Sequence, residues 1–128
     1  MPKVLYIEDE PEIAELVRRW LEEDDYQFVH ARDGNAGLLA AASGRPDLIL
    51  LDINLGQFSP DGYEVNRRLK ADPATAPIPV IALTAHAQRV EHRERALREG
   101  FVAHVSKPFD YDQLLDQVRE HANPEGQP

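Results

Sequence analysis

Two uninterrupted apolar runs constrain the fold of this chain more than any other feature. Leu48-Ile49-Leu50-Leu51 and Val80-Ile81-Ala82-Leu83 do not alternate, and each ends on a polar residue, Asp52 and Thr84. A strand with one wet face alternates apolar and polar residues. A continuous run needs cover on both faces, which is the habit of central parallel strands. Three further short runs, Val4 to Ile7, Tyr26 to Val29 and Phe101 to Val105, complete a set of five. Helical spacing fills the intervals. Ile13, Leu16, Val17, Trp20 and Leu21 recur at i, i+3, i+4, i+7 and i+8, with Pro11 suited to the first turn. Tyr111, Leu114, Leu115, Val118 and Ala122 share another face, and Asp110 with Gln113 has capping-box spacing. Asp33 to Ser43 is expected to end at Gly44, Gly62 to Ala71 before Asp72-Pro73, and Ala87 to Glu99 at Gly100. That fourth helix has a thin apolar face (Ala87, Val90, Leu97) and is expected to be lightly buried.

The pattern is (βα)5. Right-handed crossovers then give an α/β fold, a doubly wound parallel five-stranded sheet. A length of 128 residues suits one such domain. Residues 1–122 are expected to form it, with the breaker-rich 123–128 as a flexible tail. The longest apolar stretch, Leu38 to Ala42, is too short for a membrane span, and the N-terminus does not read as a signal peptide. A cytoplasmic protein is the expectation. With no cysteine there is no thiolate nucleophile and no Cys-based metal site. The net charge of -9 disfavours nucleic acid as a partner. Residues 1–64 hold 14 acids against 5 bases, and residues 65–128 hold 9 of each. The surplus is all in the first half.

Ligands of such sheets sit beyond the carboxyl ends of the strands. Glu8, Asp9 and Glu10 follow the first run, Asp52 the third, Thr84 and Ala85 the fourth, and Ser106, Lys107 and Pro108 the fifth. Crowded carboxylates either raise a pKa or hold a cation, and hard oxygen donors favour magnesium. A carboxylate beside such an ion can attack phosphorus. An ammonium and a hydroxyl, Lys107 and Thr84, would serve the other oxygens of a transferring phosphoryl group. Each residue also has a plainer role when taken singly: a helix-dipole partner, a turn residue, a β residue, a surface charge. It is their joint placement at four strand ends that points to phosphoryl transfer onto Asp52.

These pieces resemble the response-regulator receiver domain of two-component signalling, a flavodoxin-like fold, over residues 3 to about 122. The matching segments are Val4 to Pro11, Pro46 to Asp52, Asp61 to Val65, Ile78 to Ala85 and Ser106-Lys107-Pro108-Phe109. The resemblance implies Asp52 as phospho-acceptor and metal ligand and Asp9 as a direct Mg2+ ligand, with Glu8 acting through water. It implies the backbone carbonyl of Asn54 as a further metal ligand, Thr84 as switch hydroxyl, Lys107 as the holder of a phosphoryl oxygen, and a cis Lys107–Pro108 peptide. It also implies a sensor histidine kinase or histidine phosphotransfer protein as donor. A downstream protein target would be met by the face of helix 4, strand 5 and helix 5. Arg89, Arg93, Arg95 and Arg98 would lie on that surface, or simply form a solvated face with Glu91, Glu94 and Glu99.

The sequence departs from the family at three places. The stretch from Asp52 to Asp61 is two residues longer than usual, with Gly56 where Pro is common and Phe58 in the loop. Phe58 could shield the acyl phosphate or meet a partner, or the loop could be neutral variation. His104 stands where the switch aromatic is Tyr or Phe; a half-buried neutral imidazole taking that part is the favoured reading, a pH-sensitive switch the alternative. His86, two after Thr84, could tune access of hydrolytic water or be a solvated loop residue. The five histidines show no metal-ligand spacing. The leading expectation is a stand-alone phosphorylation-switched receiver, not a turnover enzyme, with the start at Met1 taken as favouring stand-alone. The alternatives are a receiver excised from a larger regulator or hybrid kinase, and a non-phosphorylated interaction module. An aspartyl-phosphate hydrolase would want an acid where Asn54 stands.

Overall fold

The computed structural model describes residues 1–55, 60–85 and 90–122, with the side chains of 90–93 left out. The expectations attached to Gly56, Phe58, His86, Ala87, Arg89, the side chains of Val90, Glu91 and Arg93, and the 123–128 tail lie outside the described residues. Among the described residues five strands and five helices alternate. They are β1 (Lys3–Ile7), α1 (Pro11–Glu23), β2 (Gln27–Ala31), α2 (Gly34–Gly44), β3 (Leu48–Asp52), α3 (Gly62–Ala71), β4 (Val80–Thr84), α4 (Val90–Arg98), β5 (Ala103–Ser106) and α5 (Tyr111–Ala122). Every strand pairing is parallel, and the order is β2-β1-β3-β4-β5. The fold expected from the five apolar runs is the fold observed.

The two continuous runs are β3 and β4, and all of Leu48 to Leu51 and Val80 to Leu83 are buried. Strand pleating sends alternate residues to opposite cores. Leu48, Leu50, Ile81 and Leu83 meet α1 and α5 through Val17, Leu21, Leu114 and Val118. Ile49, Leu51, Val80 and Ala82 meet the other layer, through Ala41 of α2, Val65 and Leu69 of α3, and Ala96 of α4. Each fully buried leucine or isoleucine contributes roughly 1.5–3 kcal/mol of transfer free energy. The two-sided cover that a continuous run demands is therefore met by helices on both faces.

Four details differ from the sequence expectations. Leu16 and Tyr111 were expected on the inward faces of their helices, but both are 42% exposed. The α1 stripe centres on Ala14, Val17 and Leu21 instead. Tyr111 stacks edge-on against Trp20 at 5.2 Å between ring centres, bridging α5 and α1 at the rim of the core. In α4, Leu97 is 72% exposed while Ala96, one position round the helix, is buried. A small buried residue beside an exposed leucine accords with the light burial expected of this helix. At the end of α2 the left-handed residue is Arg45 (φ 46), not Gly44, which is still helical. By contrast Gly100 has φ 88 just past α4, as a helix-ending glycine should. Among the described residues no helix is long and apolar enough to cross a membrane.

Candidate functional site

The strand order reverses between β1 and β3: the chain leaves β1 for β2 on one side, then crosses to β3 on the other. Such a switch point opens a crevice at the carboxyl ends of the two strands. Ile7 pairs with Leu51, so the next residues, Glu8 and Asp52, stand side by side at the crevice. Register across β3 and β4 pairs Asp52 with Leu83, and across β4 and β5 pairs Thr84 with Ser106. Lys107 follows directly. A cleft of about 320 Å3 forms here, lined by Asp9, Glu10, Asp52, Asn54, Ala85 and Lys107.

Its electrostatics are those of too many acids for one base. Glu8 and Asp52 are buried, and Asp9 is exposed at the rim. The three carboxylates offer oxygens all within 4.8 Å of one another. Lys107 Nζ lies 3.2 Å from Glu8 Oε1 and 3.4 Å from Asp52 Oδ2. Asp52 Oδ1 accepts from the backbone N–H of Asn54 at 3.1 Å. Burial, and then the charge of Glu8, push the Asp52 carboxyl up to about 7, against the opposing pull of Lys107. Asp9 is also raised, by desolvation first and by Glu8 second. Burial works to lower Lys107, yet the charges of Asp52 and Glu8 together outweigh it and leave its pKa raised. The ammonium is therefore held charged. Hard oxygen donors on a partly buried, net-anionic cluster are the donor set that suits a divalent cation such as Mg2+.

Glu8 is pinned at every polar atom described for it. Its Oε1 accepts from the Tyr6 hydroxyl at 2.6 Å and its Oε2 from the Glu10 N–H at 3.2 Å. Its backbone N–H donates to the Ala31 carbonyl at 3.0 Å. Its own carbonyl lies 2.7 Å from His30 Nε2, which must carry the proton there. Tyr6 is fully buried, and burial with the neighbouring acids raises its hydroxyl so that it stays a donor. Tyr6 and His30 are site neighbours that sequence reasoning missed. Period-two alternation carried the signal for Tyr6, since Glu8, one past the end of β1, continues the alternation on the Tyr6 face.

Thr84 ends β4 beside Ala85, and its carbonyl accepts the Lys107 N–H at 3.0 Å. His104 is half-buried and pairs with Ala82. Ala82 packs toward the α2, α3 and α4 side, so by pleating Thr84 and His104 point to that same side. The Lys107–Pro108 peptide is cis. The acceptor segment is backed by α3. Gly62 donates to the Ile53 carbonyl at 3.0 Å, and a Cβ on it would lie 2.6 Å from Ile53 Cα and 2.7 Å from the Asp52 carbonyl oxygen. Only glycine allows that approach. Asp61 caps the helix by accepting the Glu64 N–H at 2.9 Å.

Residues 4–119 match the family model of the response regulator receiver domain. Among curated proteins, the chain is 37% identical over 122 residues to the polar-differentiation response regulator DivK of Brucella anthropi, covering 94% of this chain and 97% of DivK. It is 40% identical over 119 residues to the DNA-binding dual master transcriptional regulator RpaA of Synechocystis, covering 93% of this chain but only 48% of RpaA. The chain thus spans about half the length of that relative. Among solved structures, chemotaxis protein CheY4 of Vibrio cholerae superposes with a TM-score of 0.85 at 26% identity, over 94% of this chain and 98% of that one. The receiver domain of sensor histidine kinase PA1611 of Pseudomonas aeruginosa gives 0.84 at 29% identity, over 95% and 98%. That structure has a magnesium ion coordinated in its active-site cleft.

Proposed function

Because the chain belongs to the response-regulator receiver family of two-component signalling, we propose that it is a switch thrown by phosphorylation of Asp52. The observation that carries this reading is the position of the Asp52 carboxylate. It belongs to an acidic cluster fit for a divalent cation, and a charged ammonium stands 3.4 Å from it.

The donor is a phosphohistidine on a sensor histidine kinase or a histidine phosphotransfer protein. An Asp52 carboxylate oxygen forms a bond to phosphorus while the P–N bond breaks, and the leaving imidazole takes up a proton. Magnesium, when bound, supplies positive charge to the phosphoryl oxygens. Asp9 and Asp52, the Asn54 carbonyl, and Glu8 through water are the groups that would hold it. Lys107 holds a second phosphoryl oxygen with its Nζ. Thr84 offers its hydroxyl to a third. Thr84 and His104 share one side of the sheet, which supports a coupled change passing from the acceptor to the α4–β5–α5 face. A downstream protein reads that face. The chain catalyses only its own gain and loss of phosphate, without turnover of a separate substrate.

The test is intact mass after incubation with Mg2+ and acetyl phosphate. One phosphoryl increment is expected, lost in Asp52→Asn and in EDTA. Failure of the native chain to gain mass, together with failure to bind beryllofluoride, overturns the reading.

A further inference from the structure

Two donors are described at Glu8 Oε1. The Tyr6 hydroxyl reaches it at 2.6 Å, and Lys107 Nζ at 3.2 Å. The same Nζ stands 3.4 Å from Asp52 Oδ2. One ammonium is therefore shared between two buried carboxylates, and the phenol is the nearer partner of one of them. A carboxylate oxygen buried from water must be satisfied by the protein. With the hydroxyl in place, Glu8 Oε1 is already served by a short bond and draws on the ammonium less. Without it, Lys107 becomes the sole donor described at that oxygen. The lysine chain is flexible and would swing toward Glu8, away from the acceptor.

We propose that Tyr6 is a positioning residue of the phosphorylation site: by holding Glu8 Oε1, it leaves Lys107 free to serve Asp52 and the incoming phosphoryl group. This rests on the function proposed above and adds to it a residue acting from beneath the cleft. Tyr6 lines no part of the cleft itself. It sits in the α1/α5 core with Phe28 edge-on at 6.3 Å, so its ring is fixed by packing and its hydroxyl by that ring. The other Glu8 oxygen, held by the Glu10 N–H, keeps the carboxylate from rotating away.

Tyr6→Phe removes the hydroxyl and keeps the ring. Phosphorylation by acetyl phosphate at saturating Mg2+ is expected to slow about tenfold, the worth of one hydrogen bond to a charged group. A double-mutant cycle isolates the route. In a Lys107→Ala background the same Tyr6→Phe change is expected to slow the reaction by less than twofold, because the residue it acts through is gone. A crystal structure of Tyr6→Phe is expected to show Nζ moved toward Glu8 and out of reach of Asp52. Equal slowing in both backgrounds overturns the proposal, as does an unchanged rate accompanied only by a lower melting temperature. If the native chain itself takes no phosphoryl group, the functional reading falls and this one with it. If the native chain reacts and Tyr6→Phe reacts equally well, this one falls alone.

Discussion

Replacing Asp52 by Asn should make the metal-free protein more stable. Asp52 is buried beside Glu8, with a single lysine between the two carboxylates. Its pKa rises from 3.8 to about 7. The folded chain therefore holds a proton on Asp52 that the unfolded chain has released, over the window between about pH 4 and pH 7. Where the native state binds more protons, stability falls as pH rises. Above the folded pKa the whole shift has become a cost: about three units at ~1.4 kcal/mol each, or about 4 kcal/mol. Asparagine removes the charge and keeps an oxygen to accept the Asn54 N–H. Its amino group would face Lys107, and its own desolvation also counts against it, so about half the gain, ~2 kcal/mol, is the expectation. Urea titrations in EDTA at pH 8 and pH 5 measure this, with a single domain of this size suited to two-state fitting. The gain should shrink by more than half at pH 5, where native Asp52 carries its proton. Excess Mg2+ at pH 8 should also narrow it, because a ligand at ~100 times its Kd stabilises the native protein by about 2.7 kcal/mol. An Asp52→Asn protein no more stable than the native one at pH 8, or a gain indifferent to pH, refutes the electrostatic account of the cluster.

Two further substitutions probe the scaffold around the site. Gly62→Ala places a Cβ within 2.7 Å of the Asp52 carbonyl oxygen, so α3 must back away from the acceptor segment. A loss of about 1–3 kcal/mol by urea titration, with slower gain of mass from acetyl phosphate, is expected; an unchanged midpoint would show that the approach is slack. Arg45→Gly relieves a left-handed residue (φ 46) on an exposed side chain and should raise stability by about 0.5–1 kcal/mol, read as a higher urea midpoint at constant slope.

The sheet was legible because its signal is local. Leu48 to Leu51 and Val80 to Leu83 announce two-sided burial without reference to any other part of the chain. The site was legible one step further on, since fold topology alone collects strand ends, and Asp52 and Lys107 do meet there. Pairwise packing was less visible. The helical period marks a face to within about one residue, which is why Leu97 was expected inside where Ala96 is. Arg45 was missed because a left-handed cap favours glycine, and a glycine stood next to it. Tyr6 read as core, and it is core; its hydroxyl acquires a role only from the carboxylate two residues on.

Lys107 reaches Glu8 across 99 positions of sequence. During synthesis the acids of the first half leave the ribosome long before the base that offsets them. Until β5 docks against β4, the carboxylates that β1 and β3 bring together lack the Lys107 cation. The incomplete sheet thus carries uncompensated charge in addition to the loop entropy of closing it. Arrival of the last strand supplies neutralisation and packing in one step. A chain cut short before it should neither hold its fold nor offer a working phosphorylation site, so that competence for the signal and completion of the polypeptide become the same event.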